Sequence, residues 1–291
     1  MVIDIIFIMQ KKIILALILV AVLLLSGCTQ TNSGGGGGTN GLIIESFGPI
    51  VSEVEPGDSV DIMAVLKNAG GSEVTNINVE LYGLGDWSPR LVTAPPSSML
   101  PGDPKRGIEP ETAEVVWEAR APSYKTGVEN QEFEMRVYYT YSTSAVAQIK
   151  VASDSYIKSF PASEQQSKIN ELGVKMDKYT DGPISVSVSA PSKVIRAGSS
   201  TVRITIDIQN VGGGNLVNYD LPIRISSPGG SVNCGISGTV KLLQGKSKQI
   251  RCTVDANLGS GWDNIPIQID LENYRYWVGA TSTISALPKE V

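Results

Sequence analysis

Two stretches of this 291-residue chain share one grammar, and that grammar restricts the fold more than any other feature. The segment Val54 to Ile77 contains Val-Glu-Pro-Gly-Asp-Ser-Val-Asp-Ile-Met-Ala-Val-Leu-Lys-Asn-Ala-Gly-Gly. The segment Ile195 to Tyr219 contains Ile-Arg-Ala-Gly-Ser-Ser-Thr-Val-Arg-Ile-Thr-Ile-Asp-Ile-Gln-Asn-Val-Gly-Gly. Gly57 aligns with Gly198 and Asn68 with Asn210, with a single inserted residue between. Val60, Ile62, Ala64 and Leu66 fall on one face of the first run; Val202, Ile204, Ile206 and Ile208 do so in the second. Strict alternation at period two describes a half-buried antiparallel strand and not a helix. Each run closes in Asn-x-Gly-Gly, a turn signal, because glycine reaches positive φ without steric cost and asparagine tolerates it. A phosphate-cradling glycine loop would have to open a helix, whereas here another strand follows.

More strands flank each copy. Asn76–Tyr82, Ala113–Ala119, Glu132–Thr140 and Ala145–Val151 are β-rich in the first. In the second, Ile184–Ala190 precedes the repeat strand. Tyr219–Ser226, Val232–Ser237, Thr239–Leu243, Lys248–Asp255, Ile265–Glu272 and Tyr276–Ile284 follow it. Short strands at even spacing, punctuated by Gly, Pro and Asn, form the pattern of a β-sandwich. The expectation is an all-β chain with two tandem Ig-like sandwiches, residues 42–151 and 183–286, joined by a helical linker at 152–182. In that linker Ser163-Glu164-Gln165-Gln166 reads as a capping box, and Ile169, Leu172, Met176 and Tyr179 recur at helical spacing. One short amphipathic helix is expected, interrupted by Gly173, which fixes the angle between the sandwiches or docks a partner. Leu84–Pro110 carries Pro89, Pro95, Pro96, Pro101 and Pro104 and reads as a long ordered loop around Trp87, not a strand.

The pattern Val-x-Pro-Gly-Asp-x-Val-x-Ile-x-x-x-Leu-x-Asn-x-Gly, from Val54 to Gly70, resembles the cell-adhesion-related (CARDB-like) Ig modules of bacterial and archaeal surface proteins. The resemblance covers about 100 residues of the first domain and is weaker in the second, where Arg196-Ala197-Gly198 replaces the Pro-Gly pair. It implies a structural or binding module at a cell surface and brings no catalytic residues.

The N-terminal segment agrees with that location. Lys11-Lys12 precedes an apolar run from Ile13 to Leu25, and Leu25-Ser26-Gly27-Cys28 closes it. A basic n-region, an apolar h-region and small residues before a cysteine read as a lipoprotein export signal, residues 1–27, with Cys28 as the lipidated residue. Two acyl chains would anchor stably, one only reversibly. An uncleaved membrane anchor and a plain secretory signal remain open alternatives. Met9-Gln10-Lys11-Lys12 reads as a more ordinary start than Met1. Residues 28–41, with five successive glycines from Gly34 to Gly38, have almost nothing apolar to bury and read as a disordered tether. As a flexible coil, the tether would span roughly 20 Å. The folded part would then face the extracellular or periplasmic side of the cell membrane. Cys234 and Cys252 are the remaining cysteines, and in an exported chain they are expected to pair, between neighbouring or facing strands. Closing a loop of about 18 residues stabilises by roughly 3 kcal/mol.

The chemistry legible in the sequence is sparse. No histidine occurs anywhere, which removes the usual general base, the serine triad and the common zinc ligands. Without residues 1–27, 22 basic residues face 28 acidic ones, and no basic cluster suits nucleic acid. Glu109, Glu111 and Glu114 are the nearest approach to paired carboxylates, and Asp58 and Asp61 to a calcium loop without the dense ligand spacing it needs. If Val137 points inward, Tyr139 and Tyr141 are core and Tyr138 is exposed; Tyr274 and Tyr276 share one face, Trp277 the other. The expectation is a non-enzymatic protein with no cofactor and no metal. Its partners would be the membrane, through the lipid, and a protein or cell-envelope component. It would serve as a spacer or an adhesion module. The alternative is an extracellular lipoprotein that captures a glycan or peptide.

Overall fold

A computed structural model describes residues 40–123, 129–196, 199–259 and 261–288. The lipidation segment with Cys28, nearly all of the tether, and Gly198 of the repeat lie outside these residues.

The chain is an all-β sandwich protein. Its principal strands are β1 (Leu42–Pro49), β2 (Ser59–Asn68), β3 (Val74–Tyr82), β4 (Ser88–Thr93), β5 (Thr112–Arg120) and β6 (Glu129–Ser153) in the first repeat. They are followed by β7 (Gly173–Tyr179), β8 (Ile184–Ser189), β9 (Thr201–Asn210), β10 (Ser247–Asp255) and β11 (Trp262–Ala286). Two four-stranded sheets, β1-β2-β5-β4 and β8-β9-β10 with Val232–Asn233 at its edge, pack on one large sheet built around β6 and β11. The alternating residues fill the cores as expected: Ile62, Ala64, Leu66, Ile206 and Ile208 are fully buried. At about 25 cal/mol per Å², burial of such rows is the main term favouring the fold.

β6 and β11 are each 25 residues long, roughly 80 Å at about 3.3 Å per residue. They pair antiparallel from Trp262 opposite Ala152 to Ala286 opposite Glu129, with one register shift between Leu271 and Tyr274. Asn273 takes up that bulge with φ 53°. Each strand was expected as two shorter ones. Tyr141-Ser-Thr-Ser144 and Glu272-Asn-Tyr-Arg275 resemble breaks locally, yet the ladder runs through them because each half lies on a different sandwich core.

The second half of each long strand serves the other repeat. Glu53–Val54 of the first repeat runs parallel to Ser285–Ala286, and Val194–Ile195 of the second runs parallel to Ala152–Ser153. β1 packs against β11, and Phe47 meets Phe133 of β6 edge-on with ring centres 5.2 Å apart. β7 and β8 pack on the other end of β6. The halves are thus related by an approximate two-fold through the middle of the β6–β11 pair.

The linker and the proline-rich segment differ from expectation. The linker forms two helices, α1 (Asp154–Lys158) and α2 (Ala162–Asn170), then enters β7 at Gly173, whose φ of 139° suits glycine. The capping box does not form: Ser163 is already inside α2, and the N-cap is Pro161 without a side-chain bond. Met176 and Tyr179 belong to β7, because pairing to Ala147 and Ala145 of β6 outweighs a weak helical pattern. Within the proline-rich segment, β4 pairs with β5, and Trp87 is buried. β4 is an exposed edge strand, where proline is tolerated.

Candidate functional site

The inward face of the long sheet is structural, and its centre explains the Asn-x-Gly-Gly motif. Tyr139 lies opposite Tyr276 and Tyr141 opposite Tyr274, all four buried. The Asn68 amide Nδ2 donates to the Ser72 and Met99 carbonyls at 2.8 and 2.9 Å; Asn210 donates to Gly214 and Gly245 at 3.0 and 3.2 Å. The glycines are needed for room and not for positive φ. Neither Gly70 nor Gly212 has positive φ. A Cβ on Gly70 would come within 2.1 Å of the Tyr141 hydroxyl, and one on Gly212 within 2.6 Å of the Tyr276 hydroxyl. Burial pushes the hydroxyls of Tyr141 and Tyr276 up to about 12, and those of Tyr139 and Tyr274 well above the ordinary value.

The outward face carries the surface chemistry. On the first half, Tyr138 of β6 and Trp277 of β11 sit opposite each other with ring centres 6.4 Å apart, on the faces the sequence parity implied. The Arg136 guanidinium lies 4.9 Å from the ring centres of both Tyr82 and Trp277. Glu134 binds it through two hydrogen bonds, at 2.8 and 2.9 Å, which raise its already high pKa. Tyr82 donates to Glu80, and this bond, followed by the contact with Tyr138, raises the Tyr82 hydroxyl. These rings are engaged by their own cation.

On the second half, the same face holds a groove of about 580 Å³, within the range of small-molecule sites. Three strands make its floor. Gln148 and Lys150 come from β6, Asn264 and Trp262 from β11, Lys175 and Asp177 from β7. Lys150 lies opposite both Asn264 and Gly173, and Gln148 opposite Lys175. Glu171 and Leu172, just beyond α2, form a wall. Trp262 is 40% exposed, with the Lys150 ammonium 5.5 Å from its ring centre. Charges balance locally: Lys175 lies 3.8 Å from Asp177, and Glu171 is held below the usual carboxylate range by its 2.9 Å bond from Lys168, with Lys150 adding to the effect. Sequence reading passed over this set. Its signal was parity: Trp262 and Asn264 alternate with Ile265 and Ile267, as Gln148 and Lys150 alternate with Ile149 and Val151.

The disulfide joins Cys234 to Cys252 with Cα atoms 4.0 Å apart. It links neighbours in one sheet, since Val232–Asn233 pairs with β10 opposite Val254 and Thr253; Cys234 itself lies just past that edge strand. The carboxylates do not converge. Glu111 accepts from the Leu100 amide at 2.6 Å, and Glu114 stands opposite Val65 in the β5–β2 ladder. Among the described residues no three His, Cys, Asp or Glu side chains group as metal ligands, Asp58 and Asp61 included.

Comparison with protein families and with curated proteins gives no match. Among solved structures, the chain is similar to envelope protein VP37 of White Spot Syndrome Virus, at 9% identity and TM-score 0.25 over 47% of this chain and 98% of that one. It is also similar to a protein of unknown function from Porphyromonas gingivalis W83 (14%, TM-score 0.22, 74% and 83%). A third likeness is to the collagen adhesin of S. aureus (11%, TM-score 0.11, 86% and 93%). Scores this low bear on neither family nor function.

Proposed function

We propose that the protein is a non-catalytic module held at a membrane through lipid on Cys28, exposed outside the cytoplasm, and used as a spacer or as an adhesion and protein-interaction surface. The observation that carries this reading is the β6–β11 ladder that both sandwiches share. Two sandwiches built on one pair of 25-residue strands are held as one body by that shared ladder, and the tether joins it near the middle, where Gly41 lies beside Tyr139 and Pro183. The resemblance of Val54–Gly70 to CARDB-like modules and the signal ending at Cys28 support the location. The test is intact mass and membrane partitioning of natively expressed protein beside Cys28→Ser. Loss of residues 1–27, a lipid mass increment, and release of the variant from membranes are expected. Retention of the full N-terminus by both, with both membrane-bound, overturns the lipid anchor.

A second reading, capture of an extracellular glycan or peptide, is favoured by the groove beside Trp262.

A further inference from the structure

We infer that the groove on the outward face of the second half is a binding site for a neutral oligosaccharide, with Trp262 as its stacking platform. The inference rests on the ligand-capture reading and is independent of the anchor.

Three observations point to a sugar. First, the groove sets one partly exposed indole beside a row of polar groups on a firm floor. Gln148, Lys150 and Asn264 stand on the two paired long strands and Lys175 on the adjoining β7, so their spacing is that of a sheet, about 4.8 Å between strands. A pyranose presents one apolar CH face and a rim of hydroxyls that both donate and accept. An indole with amide, ammonium and carboxylate groups around it complements both sides. Second, the charges compensate one another: Lys150 and Lys175 face Glu171 and Asp177, so a ligand of either strong charge gains little. Third, the apolar lining besides Trp262 is confined to Leu172 and Val174, too little for the side-chain anchors that hold a peptide.

The two aromatic surfaces differ in the cation each holds. On the first half Arg136 fills the space between Tyr82 and Trp277 and is itself fixed by Glu134. Over Trp262 the cation is Lys150, a flexible chain whose ammonium can move aside to donate to a sugar hydroxyl while the ring takes the CH face.

The test is calorimetric titration of the full chain, purified in detergent, with chitohexaose, cellohexaose and maltohexaose. At least one is expected to bind saturably, with Kd at or below about 1 mM. Trp262→Ala should weaken that sugar at least about tenfold, as loss of a stacking platform does. Asn264→Ala should weaken it less, and Trp277→Ala, on the other half, should leave it unchanged. The melting temperature of each variant is measured alongside, so that loss of the sugar is separated from loss of the fold. No saturable binding of any of the three overturns the inference. So does binding that survives Trp262→Ala or is abolished by Trp277→Ala. None of these results touches the anchor, which mass and partitioning decide.

Discussion

Tyr141 and Tyr276 hold equivalent posts in the two repeats: each hydroxyl accepts the backbone amide four residues after the strand asparagine, from Ser72 at 3.0 Å and from Gly214 at 3.1 Å. Each also donates, Tyr141 to the Asp181 carbonyl at 2.5 Å and Tyr276 to the Asn210 side-chain oxygen at 2.6 Å. Phenylalanine at either position leaves a buried amide without its acceptor, at a cost of about 1–3 kcal/mol. Tyr139 provides the contrast. Its hydroxyl is buried and makes no hydrogen bond of normal geometry. Tyr139→Phe should therefore be neutral or stabilising, while Tyr141→Phe and Tyr276→Phe lower the melting temperature by about 2–4 °C per kcal/mol. Calorimetric melting of the three variants checks the order.

Crowding at the same place sets the second expectation. Gly70→Ala places a methyl where the Tyr141 hydroxyl already sits, 2.1 Å from the new Cβ, so the turn or the tyrosine must shift. A loss of about 3 kcal/mol is expected. Gly70→Ala combined with Tyr141→Phe should cost less than the sum of the two, because removing the hydroxyl relieves the contact. A double-mutant cycle by denaturant unfolding reads that coupling directly. Additive losses would mean the glycine serves the turn's backbone angles after all.

These tyrosines also mark the limit of what local sequence reveals. The inward rows at Val60–Leu66 and Val202–Ile208 were legible because period two is a property of the strand itself. So was the division of Tyr138 and Trp277 from Tyr139, Tyr141, Tyr274 and Tyr276. The continuity of β6 and β11 was not, since a Ser-Thr-Ser stretch continues as strand only when a partner lies alongside, and that partner is more than 100 residues away. The groove was hidden for the same reason. Its walls come from the end of α2 and from three strands, each contributing polar residues that look like ordinary solvated surface.

Alkaline stability follows from the same burial. Tyr141 and Tyr276 have hydroxyls raised from 10.0 to about 12, and burial also holds those of Tyr139 and Tyr274 well above the ordinary value. Above pH 10 the unfolded chain releases these protons while the folded chain keeps them. Fewer protons are then bound in the unfolded state, and stability falls as pH rises. The contribution is fully present below pH 10, and each affected tyrosine loses about 1.4 kcal/mol per pH unit until its folded value is reached. Unfolding is expected between pH 10 and about 12, with tyrosinate absorbance and far-ultraviolet dichroism changing together. Gradual tyrosinate formation in a chain that stays folded would contradict it.

The Cys234–Cys252 bond ties the end of a two-residue edge strand to the centre of β10. Without it, Val232–Asn233 has little to hold it in register. Reduction, or Cys234→Ser with Cys252→Ser, should lower stability by about 3 kcal/mol. Hydrogen exchange should show the loss concentrated at the Val232–Asn233 edge strand and adjoining β10 and absent from β1–β5. A uniform loss of protection would place the effect on the unfolded chain alone.

The approximate two-fold predicts what half of the protein does. Residues 40–182 contain β6 but lack β11, which covers one edge of β6 along nearly its whole length and completes the first sandwich. An uncovered strand of that length, with Tyr139 and Tyr141 stripped of the facing Tyr276 and Tyr274, is a template for another copy. Because Tyr139 faces Tyr276, the counterpart of Tyr141, the same register is open to two copies of β6, with Tyr139 of one opposite Tyr141 of the other. The fragment is therefore expected to be a symmetric dimer or to aggregate, and light scattering after size exclusion separates these from a monomer. A folded, soluble monomer would show that the first sandwich does not need the strand it borrows.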